Sequence, residues 1–199
     1  MFLRATLTLV LLTGLLLIST TAAASTPNAV AESRTEAVAR ILSEPAGPQR
    51  TARLGAEIDR SIDFAHLASL SLGRHWQERS EEEQVEFLSL LRRLLQANYE
   101  DRLSGQQLRE DYTVTFEAGR ERGDRAVVPA TIRHKERTET VVYRLHRHDG
   151  QWKIYDLVID DISLEETYRE GYVPIIEEDG WDELISLMRE RIEELEATD

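Results

Sequence analysis

The 199-residue sequence carries 24 Lys and Arg against 37 Asp and Glu, a formal net charge of −13, and no cysteine. So acidic a chain is repelled by nucleic acid and by anionic lipid headgroups alike, since both are polyanions, which excludes a protein that works by gripping phosphate backbones. Without cysteine there is neither a disulfide nor a lipid-modified cysteine anchor, so the fold has to rest on a hydrophobic core.

The chain opens with Arg4 and an apolar run from Leu7 to Ile18, broken only by Thr8, Thr13 and Gly14, and then reaches small residues ending in Ala22-Ala23-Ala24. This is the three-part layout of a secretory signal peptide, with cleavage expected near Ala24. The run is short for a membrane span, which needs about 20 apolar residues to cross ~30 Å of hydrocarbon. Residues 25–199 are left as one domain of ordinary length, exported and soluble, and the loss of Arg4 takes the net charge to −14.

After a short linker, Ser25 to Asn28, helical spacing of Val30, Ala37, Val38 and Ile41 predicts a first helix over Ala29 to Leu42, stopped near Pro45, Gly47 and Pro48. A second helix is expected from Pro48 to Ile62, and a third from Asp63 with Gly73 as its stop. The longest begins at a capping box, Ser80 with Glu83, and its apolar positions from Val85 and Phe87 through Leu94, Leu95 and Tyr99 wrap around more than one stripe, so it should have neighbours on two sides.

After Gly105 the period becomes two. Tyr112, Val114 and Phe116 alternate with polar residues, Gly119 to Asp124 reads as a turn, and strands are predicted over Arg125–His134, Thr138–Arg147 and, after the Asp149-Gly150 hairpin signal, Gln151–Ile162. Ser163 and Glu166 open a helix through Tyr168 to about Ile176, and Gly180 separates it from a last amphipathic helix carrying Trp181, Leu184, Ile185, Leu187, Met188 and Ile192. The class is α+β: a twisted antiparallel meander of about four strands packed against N- and C-terminal helices. Its apolar face would carry Val114, Phe116, Val128, Ile132, Val141, Tyr143, Leu145, Trp152, Ile154 and Val158, with the long helix as its cover. A curled sheet under a straight helix either fills the gap with side chains or encloses a space, and the pattern is compatible with both.

The segment Asp63-Phe64 through Leu70 to Leu72-Gly73-Arg74-His75-Trp76, then Glu82, Phe87, Leu94-Leu95 and Tyr99, resembles the MlaC family, also called the toluene-tolerance auxiliary family. So do Val142-Tyr143-Arg144-Leu145, Gly150-Gln151-Trp152-Lys153-Ile154-Tyr155-Asp156, Ile162-Ser163-Leu164 to Thr167-Tyr168-Arg169, and Gly180-Trp181-Asp182-Glu183-Leu184-Ile185. The pieces run in order over nearly all of residues 25–199. Glu81-Glu82-Glu83, where the family often has Thr-Pro-Glu, and Gly171-Tyr172, where it often has a polar residue and Phe, are the departures.

The resemblance implies a cystatin-like or NTF2-like domain of the periplasm that binds phospholipid by its acyl chains, in an apolar pocket between helices and sheet, with the headgroup outside. It implies an outer-membrane lipoprotein–porin complex and an inner-membrane MCE-domain protein with its ABC transporter as partners, only transient membrane contact, no nucleic acid and no cofactor. The tail contacts it suggests are Phe64, Leu67, Phe87, Leu91, Leu94, Val114, Phe116, Ile132, Tyr143, Leu145, Trp152, Ile154 and Tyr168, with Tyr143, Trp152 and Tyr168 also suited to the pocket mouth.

Other groups invite functional readings. His146 and His148 share a side of one strand, but two histidines make an incomplete metal site, Arg144 and Arg147 beside them repel a cation, and a solvated strand face is expected; the same holds for His66 and His75. Asp156, Asp160 and Asp161 are the residues that a small isomerase-like enzyme in the same cavity would use as general base, although no oxyanion donor accompanies them. Arg92, Arg93 and Arg102 suit a phosphate headgroup or, equally, helix-surface pairs with Glu86, Glu100 or Glu110.

Overall fold

The computed structural model describes residues 25–104 and 112–197; the expected signal peptide and Glu110 lie outside them, as do the side chains of Tyr99, Glu100 and Arg102. Four of the described helices begin where a side chain satisfies a free amide of the first turn. Before α1 (Pro27–Leu42), the Thr26 hydroxyl accepts from the Ala29 amide at 3.2 Å, and a proline fills the first position of both α1 and α2 (Pro48–Ser61). Asp63 caps α3 (Phe64–Leu72) by accepting from the His66 amide at 2.9 Å, and Gly73, at φ 55°, turns the chain into the single-turn α4 (Arg74–Gln77). The capping box of α5 (Glu81–Ser104) has both arms: Ser80 N–H donates to Glu83 at 2.7 Å and Glu83 N–H to the Ser80 hydroxyl at 3.2 Å.

The sheet is an antiparallel meander of six strands, more than the four expected, in the order β1 (Tyr112–Phe116), β3 (Arg125–His134), β4 (Arg137–His148), β5 (Gln151–Ile159), β6 (Ile162–Ser163), with β2 (Arg120–Arg122) on the same edge of β3 as β1. Both additions are small. The segment read as a turn, Gly119 to Asp124, contains β2, which pairs with Arg125–Val127. The last predicted strand stops at Ile159 because Asp160 and Asp161 take positive φ (45° and 66°), an excursion that Asp tolerates, and Asp160 is fixed there by accepting from the Thr140 amide at 2.9 Å. The expected Asp149-Gly150 hairpin forms, with φ of 49° and 75°.

A bulge in β5 decides which residues face which way. Leu145 pairs with Ile154, but Arg144 pairs with Asp156, so Tyr155 is the extra residue and the parity of β5 changes across it. Leu157 and Ile159 therefore join Trp152 and Ile154 on the apolar face, while Val158, expected there, pairs with Val142 on the other side. The other nine expected residues share one cluster.

The cover of that face corrects the sequence reading. α1, not the long helix, lies on it: Ala31 is fully buried among the sheet residues, the Thr35 hydroxyl bonds the Tyr143 hydroxyl at 2.7 Å, and Asn28 bonds the Glu117 carbonyl and the Gly119 amide at 2.8 and 2.9 Å. Val128 and Leu145 have no exposed surface, so this seam is filled. α5 instead sits among helices, packed on α2, α3 and α7 (Trp181–Glu196) in a second apolar cluster around Phe87, Leu91 and Leu94. The sheet's other face meets this helical layer through polar side chains. Asp156, on that face with Arg144 and His146, accepts from Arg144 at 2.9 Å, the Ser163 hydroxyl at 2.8 Å and the Glu165 amide at 3.0 Å, pinning the start of α6 (Leu164–Glu178). The Ser163 hydroxyl itself accepts from the Glu166 amide at 3.1 Å, the expected cap.

Candidate functional site

A helix that buries its apolar side well is held in place; α6 does not. Of its fifteen residues only Glu165 is buried, while Tyr168, Tyr172, Ile175 and Ile176 are left half-buried against the helical cluster. By contrast α7 buries Trp181, Leu184, Ile185, Met188 and Ile192. Pro174 lies inside α6 and withholds an amide from its hydrogen-bond ladder. The N-terminal end of α6 is anchored by Asp156, Ser163 and a bond from the Ser71 hydroxyl to the Glu165 carbonyl (3.1 Å), whereas among the described residues the side-chain hydrogen bonds of its last turn are the exposed ones of Glu177 with Arg74 (2.8 Å) and His75 (3.4 Å).

A crevice of about 160 Å³ opens between α5, α6 and α7. Its walls are Leu94 from α5, Ile175 from α6 and Leu184 and Met188 from α7, with Leu187, Asn98 and Arg191 also lining it. Tyr168 and Tyr172, one helical turn apart, complete the lining with stacked rings (centroids 5.3 Å, 28° between planes), and Tyr172 meets the edge of Phe87 at 6.0 Å. Burial pushes the Tyr168 phenol up to about 12 and raises Tyr172 as well, its neighbouring Tyr168 adding to the effect, because a phenolate in this apolar setting would lack solvation. Both hydroxyls are therefore protonated, and both are donors.

An apolar cavity of about 150 Å³ holds benzene, and drug-sized ligand pockets run to about 300–1,000 Å³. This crevice is of the first size, and α6, with a single buried side chain, is the wall that buries least. A wider concavity of about 630 Å³ along Glu81, Glu82, Val85, Glu86, Ser89 and Leu90 belongs to one face of α5 alone, with no opposing wall among the described residues, and three of its six side chains are carboxylates. It is a helix surface.

The thirteen residues singled out from sequence fall into two groups. Leu94 and Tyr168 line the crevice, and Phe64, Leu67, Phe87 and Leu91 lie in the same helical cluster. Val114, Phe116, Ile132, Tyr143, Leu145, Trp152 and Ile154 belong to the separate cluster between the sheet and α1. Sequence reasoning missed Tyr172, Ile175, Leu184, Leu187 and Met188 as lining. The signal lay in the spacing: Tyr168, Tyr172 and Ile175 follow i, i+4, i+7 on α6, and Leu184, Leu187, Met188 and Arg191 follow i, i+3, i+4, i+7 on α7, so two neighbouring helices aim one stripe each at the same gap.

His146 is not on a solvated face. It is buried, bonds Asp63 at 3.0 Å and stacks on His66 (3.9 Å, 8°), with Tyr155 edge-on to both rings and only His148 left exposed. The reason is Asp63: the residue that caps α3 also presents its second oxygen to β4, drawing the histidine inward. His75 is half-buried beside Glu177. Among the described residues no three His, Asp or Glu side chains are placed to hold a metal ion. Asp156 has its oxygens occupied by three donors, Asp160 serves its turn and Asp161 is exposed; none of the three lines the crevice. Arg92 pairs with Asp59 (3.2 Å) over the Phe64 ring, and Arg93 pairs with Glu196 (2.8 Å), so both are helix-surface partners, although of other acids than those expected.

Comparison with known proteins adds three findings. The family model described as MlaC protein matches residues 32–190. A solved phospholipid-binding protein from Ralstonia solanacearum, in complex with a phospholipid, has the same fold: TM-score 0.78 at 23% identity, over 86% of this chain and 99% of that one. No curated protein matches the chain.

Proposed function

The chain belongs to the MlaC family, and from that premise we propose that it is a periplasmic phospholipid carrier whose acyl tails enter between α5, α6 and α7. Residues 1–24 would direct export and be removed, leaving residues 25–199 as a single lipid-binding domain. The protein would then pass lipid between an outer-membrane lipoprotein–porin complex and an inner-membrane MCE-domain protein with its ABC transporter, maintaining the lipid asymmetry of the outer membrane. No covalent step is needed.

One observation carries this reading: an apolar crevice whose third wall, α6, keeps its apolar side chains half-buried against the helical cluster. Each methylene moved out of water is worth ~0.8 kcal/mol, so a long acyl chain crossing water alone would cost on the order of 10 kcal/mol. A carrier that shelters the chain removes most of that barrier. Displacing α6 exposes Leu94 and Tyr168 first and then Phe87, Leu91, Phe64 and Leu67 behind them, and a tail restores the contacts that the helix gives up. The seven sheet-side residues hold the sheet to α1 and keep the scaffold rigid while the helical side opens. A net charge of −14 keeps the body off anionic membranes, so contact is brief.

The test is native mass spectrometry of the protein released gently from a bacterial envelope. The expected result is a mass increment of phospholipid at one to one. Protein recovered empty from envelope and from phospholipid vesicles alike would refute the carrier.

A further inference from the structure

The charge of the chain is unevenly spread. Residues 120–153 carry nine Lys and Arg against five Asp and Glu, a surplus of four, in a chain whose net charge is −13. Arg120 and Arg122 of β2 are exposed and two residues apart, so they leave the strand on one side, and Arg122 stands directly opposite the exposed Arg125 at the start of β3. That side is the one away from α1, because the neighbouring Ala126 is in the cluster that α1 covers. Among the described residues none of the three arginines forms an ion pair or a side-chain hydrogen bond, although Glu117 and Asp124 are close in sequence; Glu121, between two of them, turns to Arg147 on the other face at 3.8 Å. By contrast Arg34, Arg53, Arg74, Arg92, Arg93 and Arg189 of the helices each meet a carboxylate. Like charges directly opposite each other on a sheet are destabilising. Three neighbouring arginines without a carboxylate, in a chain where acids are in surplus, call for an anion outside it.

We propose that Arg120, Arg122 and Arg125 form the surface with which the protein meets an anionic phospholipid membrane. A protein partner fits this patch less well, since protein interfaces have an apolar and aromatic centre inside their polar rim. No such centre is present: among the described residues the exposed large apolar side chains are Val85 and Leu187 on the helices and Ile162 on β6, at the opposite edge of the sheet from β2. A membrane surface asks only for cations at headgroup level, each Lys or Arg worth about fivefold in partitioning. The net negative charge does not oppose this at close range. Screening shortens electrostatic reach to about 8 Å at physiological ionic strength, so headgroups in contact with the arginines feel little of the carboxylates on the helices. The proposal rests on the carrier reading for its purpose, because a carrier collects lipid from a bilayer and returns it to one. It adds an orientation to that brief contact, with the β2–β3 hairpin leading.

The experiment measures, by flotation at low and at physiological salt, how strongly protein released from a bacterial envelope associates with vesicles of phosphatidylcholine and phosphatidylglycerol, and with vesicles of phosphatidylcholine alone. The wild type should associate with the anionic vesicles only, and less as salt is added. R120Q/R122Q/R125Q should associate on the order of a hundredfold more weakly, fivefold for each arginine. R133Q/K135Q/R137Q, an equal change of charge at the other end of the sheet beside Glu136, Glu139, Asp160 and Asp161, should behave as the wild type. Equal association of the wild type with both kinds of vesicle, or equal losses in the two triple variants, would overturn the proposal. Undiminished vesicle association in R120Q/R122Q/R125Q would overturn it too, and would assign the arginines to an acidic protein partner if delivery of lipid to an acceptor complex were lost at the same time. Native mass spectrometry of the same samples separates this proposal from the carrier reading. The R120Q/R122Q/R125Q variant should still carry phospholipid at one to one, because the patch lies outside the crevice, whereas a wild type that binds anionic vesicles yet never holds lipid would refute the carrier and leave the membrane surface standing.

Discussion

Asp156 shows how one buried carboxylate can organise a junction. It is 2% exposed and joins three elements: Arg144 of β4, the Ser163 hydroxyl of β6 and the Glu165 amide of α6. Removing it leaves two donors unpaired and Arg144 with only the more distant Glu166 at 3.9 Å, so Asp156→Ala should cost about 3 kcal/mol in denaturant unfolding. Lipid stoichiometry in the folded fraction should stay at one to one, since Asp156 lies outside the crevice; complete loss of lipid from well-folded protein would give it a functional role. The His66–His146 stack makes a pH prediction. Burial lowers the His66 pKa below 6.5, helped by His146, Arg125 and His148 and opposed by Asp63. Asp149 lies beyond the stack beside His148, and Tyr155 packs its edge against the stack. The folded state thus takes up its proton later than the unfolded chain, so this stabilising contribution is complete above 6.5 and is lost as pH falls below it. Asp63 has the opposite chemistry at a lower window: burial raises its pKa, but the His66 amide and the two histidines outweigh that and hold it below 3.8, so its contribution is lost only as pH falls past that value. Denaturant titrations between about pH 7 and pH 5 should show declining stability that is flatter in His66→Gln. Equal slopes for the two proteins would remove His66 from the explanation.

Elements are held by the surface they bury, and the helices differ in this respect. α7 has five buried side chains and α6 one, a glutamate. Amide hydrogen exchange should therefore be faster in the second half of α6, from Tyr168 onward, than in α7, and should slow when phospholipid is loaded. Exchange as slow in α6 as in α7, and unaffected by lipid, would mean that this helix is not the moving wall. How much of this was legible in the sequence depends on the range of the interaction. Asp63, Ser80 and Ser163 act within their own turns, so they mark helix starts without knowledge of the fold, whereas Thr26, in the segment expected to be a linker, caps a helix that begins at Pro27 rather than Ala29. Strand β3 and the Asp149-Gly150 turn are legible for the same reason, since alternation and left-handed φ are local properties. What lies across from what is not local. The bulge at Tyr155 that moves Val158 to the other face leaves no mark in the alternation, and the apolar breadth of α5 is satisfied as well by helices as by a sheet. The family resemblance, carried by residues spread along the chain, reached further than periodicity because it brings the whole arrangement with it.

At the scale of the molecule there are two apolar clusters with different duties. The sheet and α1 form a filled unit, with Ala31, Val128 and Leu145 showing no exposed surface. The helical cluster includes the crevice and the loosely held α6. The two are joined by polar contacts, Arg144 and Asp156 with the start of α6 and His146 with Asp63, which fix orientation without needing an apolar interface. A carrier benefits from this division, because one half can open to hydrocarbon while the other keeps its shape. The claim that tails lie in the helical half is tested most directly by placing a photoreactive benzophenone side chain at Leu187, which is 38% exposed at the crevice, and separately at Val30 in the seam between α1 and the sheet. After lipid loading and irradiation, the account predicts a covalent phospholipid adduct at position 187 and none at position 30. An adduct at position 30 with none at 187 would place the tails against the sheet and contradict it.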